Sequence, residues 1–214
     1  MRTLGLRAAV TVTVAAAAAH GTAATAGYQI VFTLFSTAGF ALDALAIAAQ
    51  ALVGDALGAR NADRARAVLR RTVFWGLACG AAAGLVLAAV SPVLGRVFTT
   101  DERVLAMLPP SLLVLAVSLP VFGLVCVLDG VLMGAGDARY LAWTSLVNLA
   151  MYLPALWLVT AFAPGGALNG TATEGGDAGA LVALTAAFSI CFMLARLLTL
   201  GLRARGERWI VLGV

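Results

Sequence analysis

Asp43 stands in the middle of a long apolar run, Gly39-Phe-Ala-Leu-Asp-Ala-Leu-Ala-Ile-Ala-Ala-Gln, and a carboxyl group so placed is the first candidate for chemistry in the chain. An ionisable side chain at depth in hydrocarbon costs about 2.5–3.5 kcal/mol on insertion scales, so such groups mark functional sites. Away from water a carboxyl group favours its neutral form, and an acid in that setting can exchange a proton or bind Na⁺. Ser36 and Gln50 flank Asp43 seven residues to either side, giving the helix a sparse polar line. Hydrogen bonds from a neighbouring helix would make Asp43 purely structural instead. A second acid, Asp129 in Val127-Leu-Asp-Gly-Val-Leu-Met-Gly, lies within a turn or two of the end of its own apolar run. Both acids are ion-coupling candidates, and for Asp129 a helix-packing or gating role is favoured over ion coupling. Thr144, Asn148 and Tyr152, at i, i+4 and i+8, form a polar stripe. With Gln50 they are candidates to line a water-filled cavity, and interhelical hydrogen bonds would explain the stripe as well. Arg196 can snorkel or pair with an acid such as Asp129. His20 reads as a packing residue.

Other chemistries lack their residues. There is no Walker-type glycine loop and no nucleophile with a placed base, so neither an enzyme nor ATP-driven transport is expected. Cys79, Cys126 and Cys191 sit singly in separate apolar runs, without the spacing of a disulfide framework or a metal site. No cofactor is expected, only H⁺ or Na⁺ as a coupling ion. Asn169-Gly-Thr fits a glycosylation acceptor, a weak signal alone.

The elements that must position these groups are membrane helices. Of 214 residues, 62% are hydrophobic and 11% charged, too few polar groups to screen the apolar surface from water. The bilayer is therefore the expected partner. A hydrocarbon layer of roughly 30 Å needs about 20 apolar residues per helix. Six stretches qualify, over 4–26, 28–57, 70–93, 108–133, 140–163 and 178–202, within one membrane domain spanning 1–214. The first boundary, between Gly21 and Gly27, is the least marked. Gly76, Gly80 and Gly84 repeat at i, i+4 and i+8 and predict close helix packing. Ala41, Ala44, Ala48 and Ala51 offer a comparable surface on the second span. Pro110, Pro120 and Pro154 loosen the helices that contain them.

All 14 basic residues are arginine, and their positions orient the chain. With a cytoplasmic amino terminus, the inner side receives Arg2, Arg7, Arg60, Arg64, Arg66, Arg70, Arg71, Arg139, Arg203, Arg205 and Arg208. Only Arg96 and Arg103 fall in an outer loop, so both termini are expected in the cytoplasm of a multi-pass protein of the inner, plasma membrane. Arginines confined to such loops act as topology signals, and nucleic acid is not an expected partner. Asp55 and Asp137, beside these arginines, suit interfacial salt bridges. The first stretch, with Arg2 and Arg7 ahead of small residues, also fits a cleavable secretory signal; cleavage would leave five spans without changing the side of any later loop.

Taken together, Leu42-Asp-Ala-Leu-Ala-Ile-Ala-Ala-Gln-Ala-Leu-Val-Gly-Asp-Ala-Leu-Gly-Ala-Arg, Val97-Phe-Thr-Thr-Asp, Leu128-Asp-Gly-Val-Leu-Met-Gly-Ala-Gly-Asp-Ala-Arg-Tyr and Ala195-Arg-Leu-Leu-Thr-Leu resemble the multidrug and toxic compound extrusion (MATE) family, most closely its DinF-like branch. The chain looks like that family's seventh to twelfth helices. The resemblance implies an all-α membrane protein, a six-transmembrane-helix bundle corresponding to one lobe of a MATE-type transporter. It further implies export of cationic or amphipathic small molecules in antiport with H⁺ or Na⁺, with Asp43 and Asp129 as acids in motif-matching segments. The DinF-like branch often carries its coupling acids in the other lobe. A cavity between lobes requires a second six-helix lobe, from a homodimer or a separate chain. The alternative is a truncated or split-gene membrane protein without independent transport activity.

Overall fold

The computed structural model describes residues 2–19, 22–162 and 176–212. They form α1 (Arg2–Ala19), α2 (Thr22–Gly58), α3 (Ala62–Phe98), α4 (Glu102–Gly134) and α5 (Ala138–Phe162). A last rod runs without interruption through α6 (Gly176–Ala186), a π-helical segment (Ala187–Phe192) and α7 (Met193–Arg205), with a short 3₁₀ turn, Glu207–Trp209, beyond it. His20 and the Asn169-Gly-Thr sequence lie outside the described residues.

Helix ends follow local chemistry. Asn61 caps α3 by accepting from the Arg64 amide at 2.9 Å, and Asp101 caps α4 by accepting from the Arg103 amide at 2.9 Å. Asp63 and Glu102 add negative charge to those first turns, and Arg203 and Arg205 add positive charge to the last turn of α7. The tight α4–α5 turn uses Gly136 at φ 75°.

The helices outrun the predicted spans. α2 and α3 are 37 residues each, about 55 Å at 1.5 Å per residue, so each is longer than a hydrocarbon layer of roughly 30 Å is thick. The first boundary also moves. Residues 22–26, assigned from sequence to the first span, belong to α2. Gly27 is not a break: a Cβ there would stand 2.7 Å from the Leu181 side chain, so its missing side chain admits the last rod against α2. Among the described residues five helices are long and apolar enough to cross a bilayer, while α1 contributes the shorter apolar stretch Ala9–Ala18.

The outward-facing side chains identify the solvent. Leu85, Val117 and Trp143 are 73%, 79% and 70% exposed, within a larger set of exposed leucines, valines, phenylalanines and tryptophans. An outer surface this apolar fits lipid and not water, and the chain is a multi-pass, all-helical membrane protein.

α4 is the axis of the bundle and is buried on most sides, which accounts for its being apolar all round. Its contact with α3 is backbone against backbone. A Cβ at Gly76 would stand 2.8 Å from the Gly123 carbonyl, and one at Gly80 would stand 2.5 Å from that of Leu119 and 2.9 Å from Pro120 Cα. Gly84 faces the Ala116 carbonyl, which Pro120, lacking an N–H, leaves without its usual helical donor. α2 meets α4 through Ala46 against Gly130 and the Gln50 backbone against Gly134. The small-residue surface expected at Ala41, Ala44, Ala48 and Ala51 is exposed instead, and α2 packs through Leu42, Ala46, Ala49 and Val53. Both registers recur at spacings of three and four residues, and the helix opposite decides between them: Gly130 and Gly134 of α4 admit the α2 backbone at Ala46 and Gln50.

Ion pairs gather the α2–α3 turn, the α4–α5 turn and the carboxyl-terminal tail at one end. Arg64 meets Asp55 at 2.8 Å, Arg66 meets Glu207 at 2.7 Å, and Arg203 meets Asp137 at 2.7 Å while lying over the Tyr140 ring. Trp209, buried, donates its indole N–H to the Ala204 carbonyl and pins the tail there.

Candidate functional site

Asp43, Asp129 and Arg196 line one cleft of about 620 Å³, within the range of small-molecule pockets. Val10 and Thr11 of α1, Phe32 to Asp43 of α2, Phe122 to Asp129 of α4, and Phe192, Met193 and Arg196 of the last rod form its walls. The α2 wall follows from helical spacing. Phe32, Ser36, Gly39 and Asp43 recur at three or four residues and share a face. Gly39 lets the Phe122 ring approach, since a Cβ there would stand 3.4 Å from it.

The phenylalanines of the cleft pack on one another and on rings behind them. Phe35 lies 4.5 Å from Phe122 and 5.2 Å, edge to face, from Phe188, measured between ring centroids. Phe188 stacks on Phe192 at 5.6 Å, and Tyr152 braces both from behind. Phe188 and Phe192 belong to the π-helical segment, whose wider turn advances the following helix by about one residue, roughly 100° of rotation. That turn sets the face on which Met193 and Arg196 emerge.

The charges are unequal in their surroundings. Asp129 and Arg196 are each 6% exposed and joined by a forked contact: Arg196 Nη2 reaches Oδ2 at 2.7 Å and Oδ1 at 3.0 Å, and Nε reaches Oδ2 at 3.3 Å. Two charges withdrawn from water this far are held only because each compensates the other. Asp43 is partly exposed and has no ion pair among the described residues. The cleft therefore sets a carboxyl group with no ion pair among the described residues beside aromatic faces. Such a surface attracts cations by Coulomb and cation–π interaction.

The other polar candidates lie elsewhere. The Gln50 backbone packs against Gly134. Thr144 is buried and donates to the carbonyls of Tyr140, at 3.0 Å, and Leu141, at 3.2 Å. Asn148 is buried, its Nδ2 3.5 Å from Thr199 Oγ1. Tyr152 shares a 2.6 Å hydrogen bond with Thr13 of α1. Asn148 and Tyr152 thus serve contacts with α7 and α1, Thr144 bonds to its own helix, and none of the three lines the cleft. The sequence reading passed over the aromatic wall; the signal available was Phe32, Ser36, Gly39 and Asp43 at helical spacing. No group of three or more His, Cys, Asp or Glu able to hold a metal occurs among the described residues.

Comparison with known proteins adds a family. MatE matches residues 4–164. Protein DETOXIFICATION 42 of Arabidopsis thaliana is 32% identical over 71% of this chain and 29% of its own length. Protein DETOXIFICATION 44, chloroplastic, from the same plant is 34% identical over 68% of this chain and 28% of its own length. The chain spans under a third of the length of these curated relatives. No solved structure matches significantly.

Proposed function

The chain belongs to the MatE family, and from that premise we propose that it is one six-helix lobe of a secondary active efflux transporter, of the DinF-like branch, exporting cationic or amphipathic small molecules in exchange for H⁺ or Na⁺. The relatives' name, DETOXIFICATION, is in keeping with export. The observation that carries the reading is Asp43, an acid without an ion-pair partner among the described residues, set in an aromatic cleft inside a membrane bundle. An organic cation lodges its charge near Asp43 and its apolar body against Phe32, Phe35 and Phe122. One carboxylate cannot neutralise a substrate cation and a coupling ion at once, so the two compete and exchange. Asp129 and Arg196, in the wall of the same cleft, tie α4 to α7, a contact that resists or permits movement between these helices.

A second lobe, a further copy or a separate chain, closes the cleft into a cavity, and alternating access follows from rocking of the two lobes. The arginine-bearing end faces the cytoplasm, with both termini inside and the protein in the inner, plasma membrane. Vesicles containing the chain and its second lobe, loaded with a fluorescent organic cation, test the reading. An inward H⁺ or Na⁺ gradient drives extrusion by the wild type and not by Asp43→Asn. Equal extrusion by both proteins, or extrusion indifferent to either gradient, rejects it.

A further inference from the structure

Arg196 has more donors than Asp129 uses. Nε and Nη2 make the three contacts to the carboxylate, and Nη1 makes none among the described residues. Among the described residues, the fully enclosed side-chain atoms without partners are Tyr28 OH, Asn148 Oδ1, Thr185 Oγ1 and Ser189 Oγ, and Nη1 is not among them. Arg196 is nonetheless 94% buried and lines the cleft. A guanidinium is always protonated and its donors lie in a fixed plane. With Nε and Nη2 committed to Asp129, Nη1 is the donor of Arg196 left for an occupant of the cleft.

We infer that Arg196 is a specificity-determining residue, selecting organic cations that also carry an anionic or strongly accepting oxygen. The inference rests on the cleft being the cation site proposed above, and deepens it. Asp43 receives the positive end of the molecule, Nη1 donates to the oxygen at the other, and the phenylalanines cover the apolar body between. Asp129 has a second consequence: it draws off part of the guanidinium's charge, so an oxygen in the cleft competes with Asp129 for the same group. A molecule without the oxygen leaves this donor without a partner in the cleft, and that difference sets the preference.

Calorimetric titration of the detergent-purified chain with two matched probes tests this. Benzyltrimethylammonium presents the cation and ring alone, and its 4-carboxy derivative adds the oxygen. The wild type is expected to bind the carboxylate probe about tenfold more tightly, the worth of one charge-assisted hydrogen bond in a partly open site. Arg196→Lys retains a cation for Asp129 but lacks the fork, and brings the ratio of the two affinities near one. Asp129→Asn removes the competitor and raises the ratio above that of the wild type, which a merely structural Arg196 would not do. The wild-type comparison stands even if a variant misfolds. If the plain cation binds and Asp43→Asn weakens it, yet the carboxylate gives no preference, the role of Arg196 is wrong and the cation site survives. If neither probe binds, both fall.

Discussion

Breaking the buried ion pair should destabilise the protein far more than deleting it whole. Asp129 and Arg196 side chains are 9% and 7% exposed and meet at 2.7 Å. At about 3 Å and an effective dielectric near 20, their attraction is roughly 5–6 kcal/mol. Desolvation of both ions offsets much of that gain, so the net worth of the pair is small. Removing one partner loses the attraction and leaves the other charge desolvated, a cost of about 3–5 kcal/mol. Asp129→Leu and Arg196→Met should each fall in that range, whereas the double substitution, which leaves no charge and replaces both side chains with apolar ones, should lie within about 1–2 kcal/mol of wild type. Equilibrium unfolding in mixed micelles, run as a double-mutant cycle, measures the coupling directly. Two single losses of under about 1 kcal/mol would mean that water reaches both charges. Single losses that add up in the double variant would mean that the pair is not coupled. Either result refutes the reasoning.

Three further outcomes separate packing from polar contributions. Gly80→Ala drives a Cβ into the Leu119 carbonyl and should cost about 1–3 kcal/mol in the same unfolding assay, whereas Gly201→Ala, with nothing within 4 Å of its Cβ, should be neutral or stabilising by up to about 1 kcal/mol. Tyr152→Phe removes the 2.6 Å hydrogen bond to Thr13, which still donates to the Ala9 carbonyl at 2.7 Å, so the loss should be modest, about 0.5–1.5 kcal/mol, read as easier detachment of α1. Asp55→Asn disrupts a pair whose side chains are 62% and 50% exposed and should barely move the unfolding midpoint, with any change vanishing in high salt.

The apolar runs made the membrane class and the helical architecture legible, because lipid leaves a spanning chain few other ways to satisfy its backbone. Asp43 and Asp129 were legible too, since charge inside such runs is costly, and the pairing of Arg196 with an acid follows from the same cost. What the sequence could not settle was which face of each helix turns inward. On α2 the alanine register and the Leu42, Ala46, Ala49, Val53 register share one period, and the choice depends on the helix opposite. The α5 stripe was seen, but whether it meets water or α1 and α7 depends on partners more than a hundred residues distant in the chain for Tyr152 and Thr13. The π-helical segment in Ala187–Phe192 carries no glycine or proline to announce it, yet it sets where Arg196 emerges. Gly27 shows the converse: a glycine with the look of a boundary turned out to be a contact.

Direct binding of tetraphenylphosphonium, an apolar cation without hydrogen-bonding groups, to the purified chain bears most closely on Asp43 as the anionic centre of the cleft. Wild type should bind it saturably, and Asp43→Asn should bind it about tenfold more weakly, the loss of one partly screened charge contact. Undiminished affinity in Asp43→Asn, with the variant folded, would contradict the assignment.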